Sequence, residues 1–589
     1  LIEEGVITRL EDRWAPTADM SQIAIPPTIQ TLLAARLDQL SQEERQVIQP
    51  ASVVGRLFYW SAVSALTPPH LKSSVGNHLT SLVQKGLIYP EESDLAREDA
   101  FRFRHTLIKE AAYQSTPKRL RAELHERFAE WLGGVARERI GEYDEVVGHH
   151  LERAVTYRAE LGPQDEHARA MAIRAASLFA SAGRRAIARG DAASAAKQLQ
   201  RAASLLAPSD PTRPDVLRDL GVALAQNGRF DRADVVLADA GAAAAAARNR
   251  RIEADVVVQR AFVRLETDPE TTVEEVRREA EPAIKVLEDI GDDRGLAKAW
   301  QLVATEHWVQ CHAAPAEAAW HRALEHAQRA DDPLTVSESF GGLAAAAFWG
   351  STPVEQGIQR CEDIDSRAHG DRQTKAVTTA VRARFEALQG GFERARELAS
   401  EAAAIVTDLG FDTQLSMLAA TSADIEMLAG NASAAEREMQ RGYEAVERMG
   451  ETGQLPLMAA LRARPLYAQG RYEDAERYVR ISEELGGKDD VATAMLRRGT
   501  KAKILARRGQ AETADSVARE AVSLAQQTDF INDHADVLMD FVEVLAIAGR
   551  GKHALSWAQR ALSLYEQKGN LVSGGKARRR LEELTAAGA

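Results

Sequence analysis

Two residues with chemistry to offer sit side by side in the run FRFRHTLIKEAAY, Phe101 to Tyr113. Alternation at Phe101 and Phe103 predicts a strand, and Leu107, Ile108, Ala111 and Ala112 predict one face of a helix, so Arg104 and His105 fall at the joint between them. An imidazole at a helix N-terminus adds a donor to an end that is already positive, and the chemistry suited to that place is holding a phosphate. His105, with Arg104 before it, is therefore a candidate phosphate-holding pair. The alternative is a histidine that merely caps the helix beside the strand.

A second concentration of functional side chains lies between Trp300 and Trp349, where four of the eight tryptophans fall together with His307, His312, His321, His326, Phe340 and Phe348. Aromatic side chains on a concave surface anchor ligands because they offer large contact area at low entropic cost. Trp308, Trp320 and Trp349 are the candidate partner-binding residues, and Trp308→Ala is expected to abolish partner binding while leaving helicity intact. The competing reading has these rings filling gaps between imperfectly matched helices.

Other constellations fall short. GNLVSGGKAR, Gly569 to Arg578, has the wrong spacing for a phosphate-binding loop and puts Ala577 where a metal-binding hydroxyl is needed, so it reads as an interhelical turn. Glu145 and His149 lie one helical turn apart but lack a third metal ligand. Neither Cys311 nor Cys361 has a local partner that would activate it, and no G-x-S-x-G elbow is present. Neither a catalytic centre nor a metal site is expected in this chain.

Composition sets the class. The chain has 589 residues, 45% apolar and 27% charged, as in globular proteins. Its 74 basic and 87 acidic residues give a net charge of −13, which disfavours general nucleic-acid binding. Two cysteines cannot build a disulfide framework, and no apolar run reaches the length of a membrane span, so a cytoplasmic protein without membrane contact is expected. The chain starts at Leu1, already in what reads as a helix-to-strand passage, and is expected to be a piece of something longer.

Positioning these residues is the task of a strongly periodic chain. Gly350, Gly370, Gly390, Gly410, Gly430, Gly450 and Gly470 recur every twenty residues, and Gly549 and Gly569 repeat the interval. At alternate turns an alanine follows five residues after the glycine: GDAASA from Gly190, GRFDRA from Gly228, GGFERA from Gly390, GNASAA from Gly430, GRYEDA from Gly470, GQAETA from Gly509 and GRGKHA from Gly549. The repeat is thus a helical hairpin of about forty residues, with degenerate copies near Asp268, Gln310 and Gly350 and about ten hairpins in all. Glycine ends the first helix in a tight turn, and the small alanine lets the second helix pack closely.

The N-terminal part follows a different pattern. PPTIQTLLAARLDQL predicts an amphipathic helix, SQEE at Ser41 to Glu44 a capping box opening a second helix through Val54, and further helices start near Trp60 and span about Leu71 to Lys85. A strand, a charged wing and a returning strand follow, as in a winged helix. The candidate recognition helix offers only Lys72, His78 and Lys85, so DNA is not an expected partner. Three segments result: 1–115, which holds the winged helix; 116–170, connecting helices and a linker at Gly162-Pro163; and 171–589, the repeat solenoid. The fold class is predominantly all-α, a winged-helix domain followed by an α-α superhelix.

GRYEDAERYVRISEEL and GRFDRADVVL resemble the inner motif of tetratricopeptide repeats. IAIPPTIQTLLAARLDQLSQEERQVIQPASVVGRLF, LVQKGLI and FRFRHTLIKEAAYQSTPKRLRAELHERFAEWL resemble the segment that follows the nucleotide-binding core in bacterial STAND-type signalling ATPases, above all those joining an adenylate cyclase, an ATPase and a tetratricopeptide region. The resemblance implies that ATP or ADP is bound mainly by an upstream ATPase domain of the same parent chain, that His105 is the sensor touching the ADP phosphate, and that a protein, peptide or small ligand occupies the repeat groove. Thr106 departs from the acid found there in many members. The function implied is the regulatory and sensor region of an ATP-binding signalling protein that controls an ATPase and an adenylate cyclase. A stand-alone scaffold for protein–protein interaction and the regulatory region of a large ATP-dependent transcriptional regulator remain open.

Overall fold

Left-handed turns set the architecture. In the computed structural model the described residues are 7–10, 13–16, 36–92, 98–135, 140–410, 412–449 and 453–588. Most of PPTIQTLLAARLDQL, and Gly450, lie outside them. The chain divides into two compact units, residues 1–183 with 197–207, and residues 184–196 with 208–589.

The first unit opens with antiparallel strands β1 (Ile7–Leu10) and β2 (Arg13–Pro16). The helix Gln42–Val54 starts where expected, with Ser41 and Glu44 exchanging the two bonds of a capping box. Three strands form one antiparallel sheet in the order β3 (Leu57–Tyr59), β5 (Ala100–Phe103), β4 (Ile88–Glu91). The strand β3 adds to the expected pair. It is three residues long, too short to carry an alternating pattern. The helices Trp60–Leu66 and Val75–Gln84 close the arrangement over a core of Val47, Ile48, Phe58, Leu79, Phe103 and Ile108.

Beyond Ser115 the unit is helical, and Gly162-Pro163 is a short turn between the helices Ile140–Leu161 and Glu166–Ala188. Tyr113, His125, His150 and Tyr157 meet in a buried polar chain. The Tyr113 hydroxyl lies 2.8 Å from His125 Nε2 and 2.9 Å from the Tyr157 hydroxyl, and His125 Nδ1 lies 2.8 Å from His150 Nδ1.

The second unit is an all-α superhelix of repeated hairpins. Among the described residues nine hairpins run from Arg213 to Lys568, followed by the helix Leu571–Gly588, and in the sequence the hairpin of Glu166–Ala188 and Ala192–Leu205 comes before them. The glycine beat is real: Gly470 and Gly569, at φ +77° and +81°, occupy the left-handed region that an L side chain strains to enter. Each alanine five residues past its glycine, Ala195, Ala233, Ala395, Ala435, Ala475, Ala514 and Ala554, is 0% exposed. Of the degenerate copies, the one near Gln310 keeps the left-handed turn, at Cys311, whereas Asp268 and Gly350 have negative φ (−107° and −73°); Arg248, Asp331 and His369 take positive φ in turns between hairpins.

Neighbouring hairpins are tied by ion pairs one repeat apart. Arg218 meets Asp255 at 3.0 Å, Lys298 meets Glu338 at 2.6 Å and Lys503 meets Asp540 at 2.6 Å. The superhelix also returns onto itself. The Val273 amide donates to Asp489 at 2.8 Å across a separation of 216 residues. The Lys568 ammonium donates to the Ala347 and Gly350 carbonyls at 2.9 and 2.7 Å, and Gln389 Nε2 to the Gly569 carbonyl at 2.7 Å. Among the described residues no helix is long and apolar enough to cross a membrane.

Candidate functional site

His105 occupies the N-cap position of the helix Thr106–Ser115 in an extended conformation (φ −136°, ψ 141°), and its side chain makes no capping bond. Arg104, His105 and Thr106 are all exposed. The joint is held by the backbone instead: the Phe103 amide donates to the Arg56 carbonyl and the Arg104 amide to the Leu87 carbonyl, each at 3.0 Å. Ile108 and Ala112 anchor the helix below, each 1% exposed. The structure thus places an exposed imidazole and an exposed guanidinium at the start of a helix in the first unit.

Lys85, one of the three side chains considered for DNA contact, is committed elsewhere. Its ammonium lies 2.5 Å from Glu44, which also accepts from Ser81 at 2.7 Å. Burial works against the Glu44 charge, but the bonds from Lys85, Ser81 and the Ser41 amide prevail and bring its pKa down to about 2.

The three tryptophans are brought together within the second unit. Ring centroids of Trp308 and Trp320 lie 5.3 Å apart, those of Trp308 and Trp349 5.5 Å, and Phe530 from the C-terminal hairpins closes to 4.9 Å from Trp308. Trp320 is buried, whereas Trp308 and Trp349 are partly buried. Their environment comes from the return of the chain: the Asp529 amide donates to the Cys311 carbonyl at 3.2 Å. Trp320 also lines a cavity of about 430 Å³ with Lys298, Gln301 and Glu338.

Trp349 and Phe348 continue into a second cavity, of about 280 Å³, lined by residues of the helices that begin successive hairpins. Arg384, Asp424, Arg464, Asp533, Asp536 and Lys576 supply its charges, with the Lys576 ammonium donating to the Leu428 carbonyl at 3.0 Å, and Leu388, Ile425, Leu428 and Met539 its apolar surface. Arg384 is committed to Asp424 and, at 3.2 Å, to the Thr421 hydroxyl. Asp536 accepts from Arg464 at 3.2 Å and from the Tyr565 hydroxyl at 2.5 Å. Asp533 finds no hydrogen-bond or ion-pair partner among the described residues.

Electrostatics in this cavity follow from burial. Burial first, and then the Asp536 carboxylate, push the Asp533 pKa up to about 7 against the pull of Arg464. Burial opposes the charge on Arg464, but Asp536 and Asp424 outweigh it and hold the guanidinium firmly protonated. Burial likewise lowers the Lys568 ammonium to about 7.

Sequence reasoning passed over these charges although a signal existed. Arg384, Asp424 and Arg464 stand forty residues apart, at the same position of three successive hairpins. A charge recurring at the repeat period on the first helix marks a lined interior.

The remaining candidates are placed plainly. His149 lies 3.1 Å from Arg201 and 3.8 Å from Glu152, and among the described residues no group of three His, Cys, Asp or Glu side chains has the geometry to hold a metal. Cys311 and Cys361 are both free and buried, and burial raises both thiols well above their usual range. Gly569 is the interhelical turn expected of GNLVSGGKAR, between the helices Gly551–Lys568 and Leu571–Gly588.

No known family profile matches the chain, and no curated protein matches it. Solved structures do. A STAND protein with a tetratricopeptide repeat sensor, PH0952 from Pyrococcus horikoshii, aligns at 15% identity and a TM-score of 0.45, over 78% of this chain and 66% of that one. The Cut9–Hcn1 hetero-tetramer of the APC/C aligns at 16% identity and 0.45, over 78% and 93%. A Rap protein complexed with competence and sporulation factor aligns at 12% identity and 0.43, over 64% and 100%.

Proposed function

We propose that the chain is the regulatory and sensor region of an ATP-binding signal-transduction protein, in which a ligand held by the repeats controls an upstream ATPase and an adenylate cyclase. In this reading the helices and sheet from Gln42 to Ser115 act as a winged-helix switch. His105, assisted by Arg104, contacts the phosphate of ADP held mainly by the upstream domain, and so stabilises the resting state. The observation that carries the reading is the His105 joint: an exposed imidazole without a capping bond, above a helix N-terminus, fixed in place by two backbone bonds to neighbouring segments.

The repeat unit supplies the input. A ligand that favours one of two arrangements shifts the equilibrium by its differential affinity. Trp308, Trp320 and Trp349 frame the interior where a protein, peptide or small-molecule partner would act, and the setting is the cytoplasm. The test is nucleotide exchange by the intact protein, including whatever is encoded upstream of Leu1. His105→Ala should speed ADP release by roughly tenfold, the worth of one charge-assisted hydrogen bond. Unchanged exchange, or an upstream sequence without a phosphate-binding loop, would reject the switch.

A further inference from the structure

We infer that the cavity between Arg464 and Asp533 binds a free amino acid with an apolar side chain, its ammonium on Asp533 and its carboxylate on Arg464. The inference deepens the sensor reading by naming the class of input ligand.

Most of the polar groups lining the cavity already have partners. Arg384 is spent on Asp424 and Thr421, and Asp536 on Arg464 and Tyr565. Arg464 uses one bond, to Asp536, of the five that a guanidinium can donate. Its side chain keeps 28% of its surface accessible although protein surrounds it, so that surface is cavity wall. Asp533 on the neighbouring wall has no partner among the described residues. Arg464, with donors to spare, and the unpaired Asp533 carboxyl therefore line a common cavity, in which Lys576 is a further cation, bonded to the Leu428 carbonyl.

An unpaired charge at such a place is costly, and a molecule carrying the opposite charges at both ends relieves it. Size narrows the choice. A volume of about 280 Å³ is at the small end of ligand pockets and suits a small molecule. The apolar part of the wall runs from Phe348 and Trp349 to Ile425, Leu428 and Met539. Asn532, Asn570, Ser573 and Lys576 make the remainder polar. A charged headgroup with a branched, thioether or aromatic side chain matches this lining. A single amine or a single carboxylate would leave the other group unmet.

The probes are leucine, methionine and phenylalanine, titrated calorimetrically onto the full chain at millimolar concentrations. At least one should bind. Its methyl ester, which lacks the carboxylate, and its N-acetyl derivative, which lacks the ammonium, should each bind roughly tenfold more weakly or worse. Asp533→Asn should weaken the parent amino acid to a similar degree. Absence of binding for all three, or equal affinity for the ester and the acetylated form, would overturn the inference. So would unchanged binding by a folded Asp533→Asn protein. Should that variant fail to fold, the two derivatives on the unaltered chain decide the matter. Failure here would leave the His105 switch standing on its own exchange experiment.

Discussion

Asp529 caps a helix that begins more than two hundred residues before it: its carboxylate accepts from the Ala313 amide and, at 2.9 Å, from the Ala314 amide. An N-cap usually comes from the residue just ahead of its helix, and here the position belongs to His312, whose ring instead reaches the Gln527 carbonyl at 3.0 Å. The bond thus stabilises a helix and joins two distant stretches of the superhelix at once. Asp529→Ala should cost about 1 kcal/mol, as loss of a capping side chain does. The check is hydrogen exchange. Amides at the start of Ala313–Arg329 and in the 526–531 turn should lose protection together, while Ala511–Ala525 stays protected.

Trp308 is the packing centre of the same junction. Its ring touches Trp320, Trp349 and Phe530, so Trp308→Ala removes contacts from both sides of the return. A loss of about 3 kcal/mol is expected, the lower end for a truncated core aromatic because the ring is only partly buried. Helicity in native buffer should stay close to normal. Thermal melting followed by circular dichroism should show earlier unfolding, and an unchanged melting curve would mean the ring bears no structural load.

Lys568 makes stability depend on alkaline pH. Its side chain is fully buried, and its folded pKa of about 7 lies below the ordinary lysine value of 10.5. Between those limits the unfolded chain binds the proton more readily than the native one. Stability linked to this group is therefore complete above 10.5 and falls as the pH drops toward 7. Lys568→Met, which keeps the bulk and removes the titration, should flatten the rise in urea midpoint between pH 7 and 9. A rise of equal size in both proteins would place its origin elsewhere.

The buried imidazole pair predicts acid sensitivity in the first unit. Burial, reinforced by the neighbouring His149 and Lys109 charges, lowers His125 to about 2 and His150 to about 3. The unfolded chain takes up protons at both sites below pH 6.5 while the native state resists, so stability present above 6.5 is lost as the pH falls. Hydrogen exchange in Lys118–Val135 should accelerate steeply between pH 7 and 5 after correction for intrinsic rates. In His125→Phe/His150→Phe the acceleration should be smaller.

The hairpins were legible in the sequence because each is specified by residues close together in it. Glycine must end a helix and alanine must sit where two helices cross, and both recur at a fixed interval. Even the degenerate copy near Gln310 appears, with Cys311 in the left-handed turn and Ala316 fully buried five residues on. The His105 joint was equally legible, as a change from strand period to helix period. What escaped was the return of the superhelix. No repeat encodes it, since a bond such as Lys568 to Gly350 pairs side chain with backbone at a distance no periodicity reports. Small residues inside helices were missed for a related reason. A side-chain carbon on Gly342 would lie 2.3 Å from the Trp320 ring and one on Gly357 2.1 Å from the Phe385 ring, yet neither glycine stands at a turn.

Among the described residues four that are not glycine take positive φ, Arg248, Cys311, Asp331 and His369, and all fall in the N-terminal half of the repeats. Each holds its backbone against a steric preference of about 1 kcal/mol, a load absent from the glycine turns that follow. The repeat unit is therefore unevenly tensioned: a stretch under strain is clamped by a relaxed C-terminal stretch through Asp529, Phe530 and Lys568. Loosening that clamp is therefore expected to free the strained turns before the glycine turns that follow.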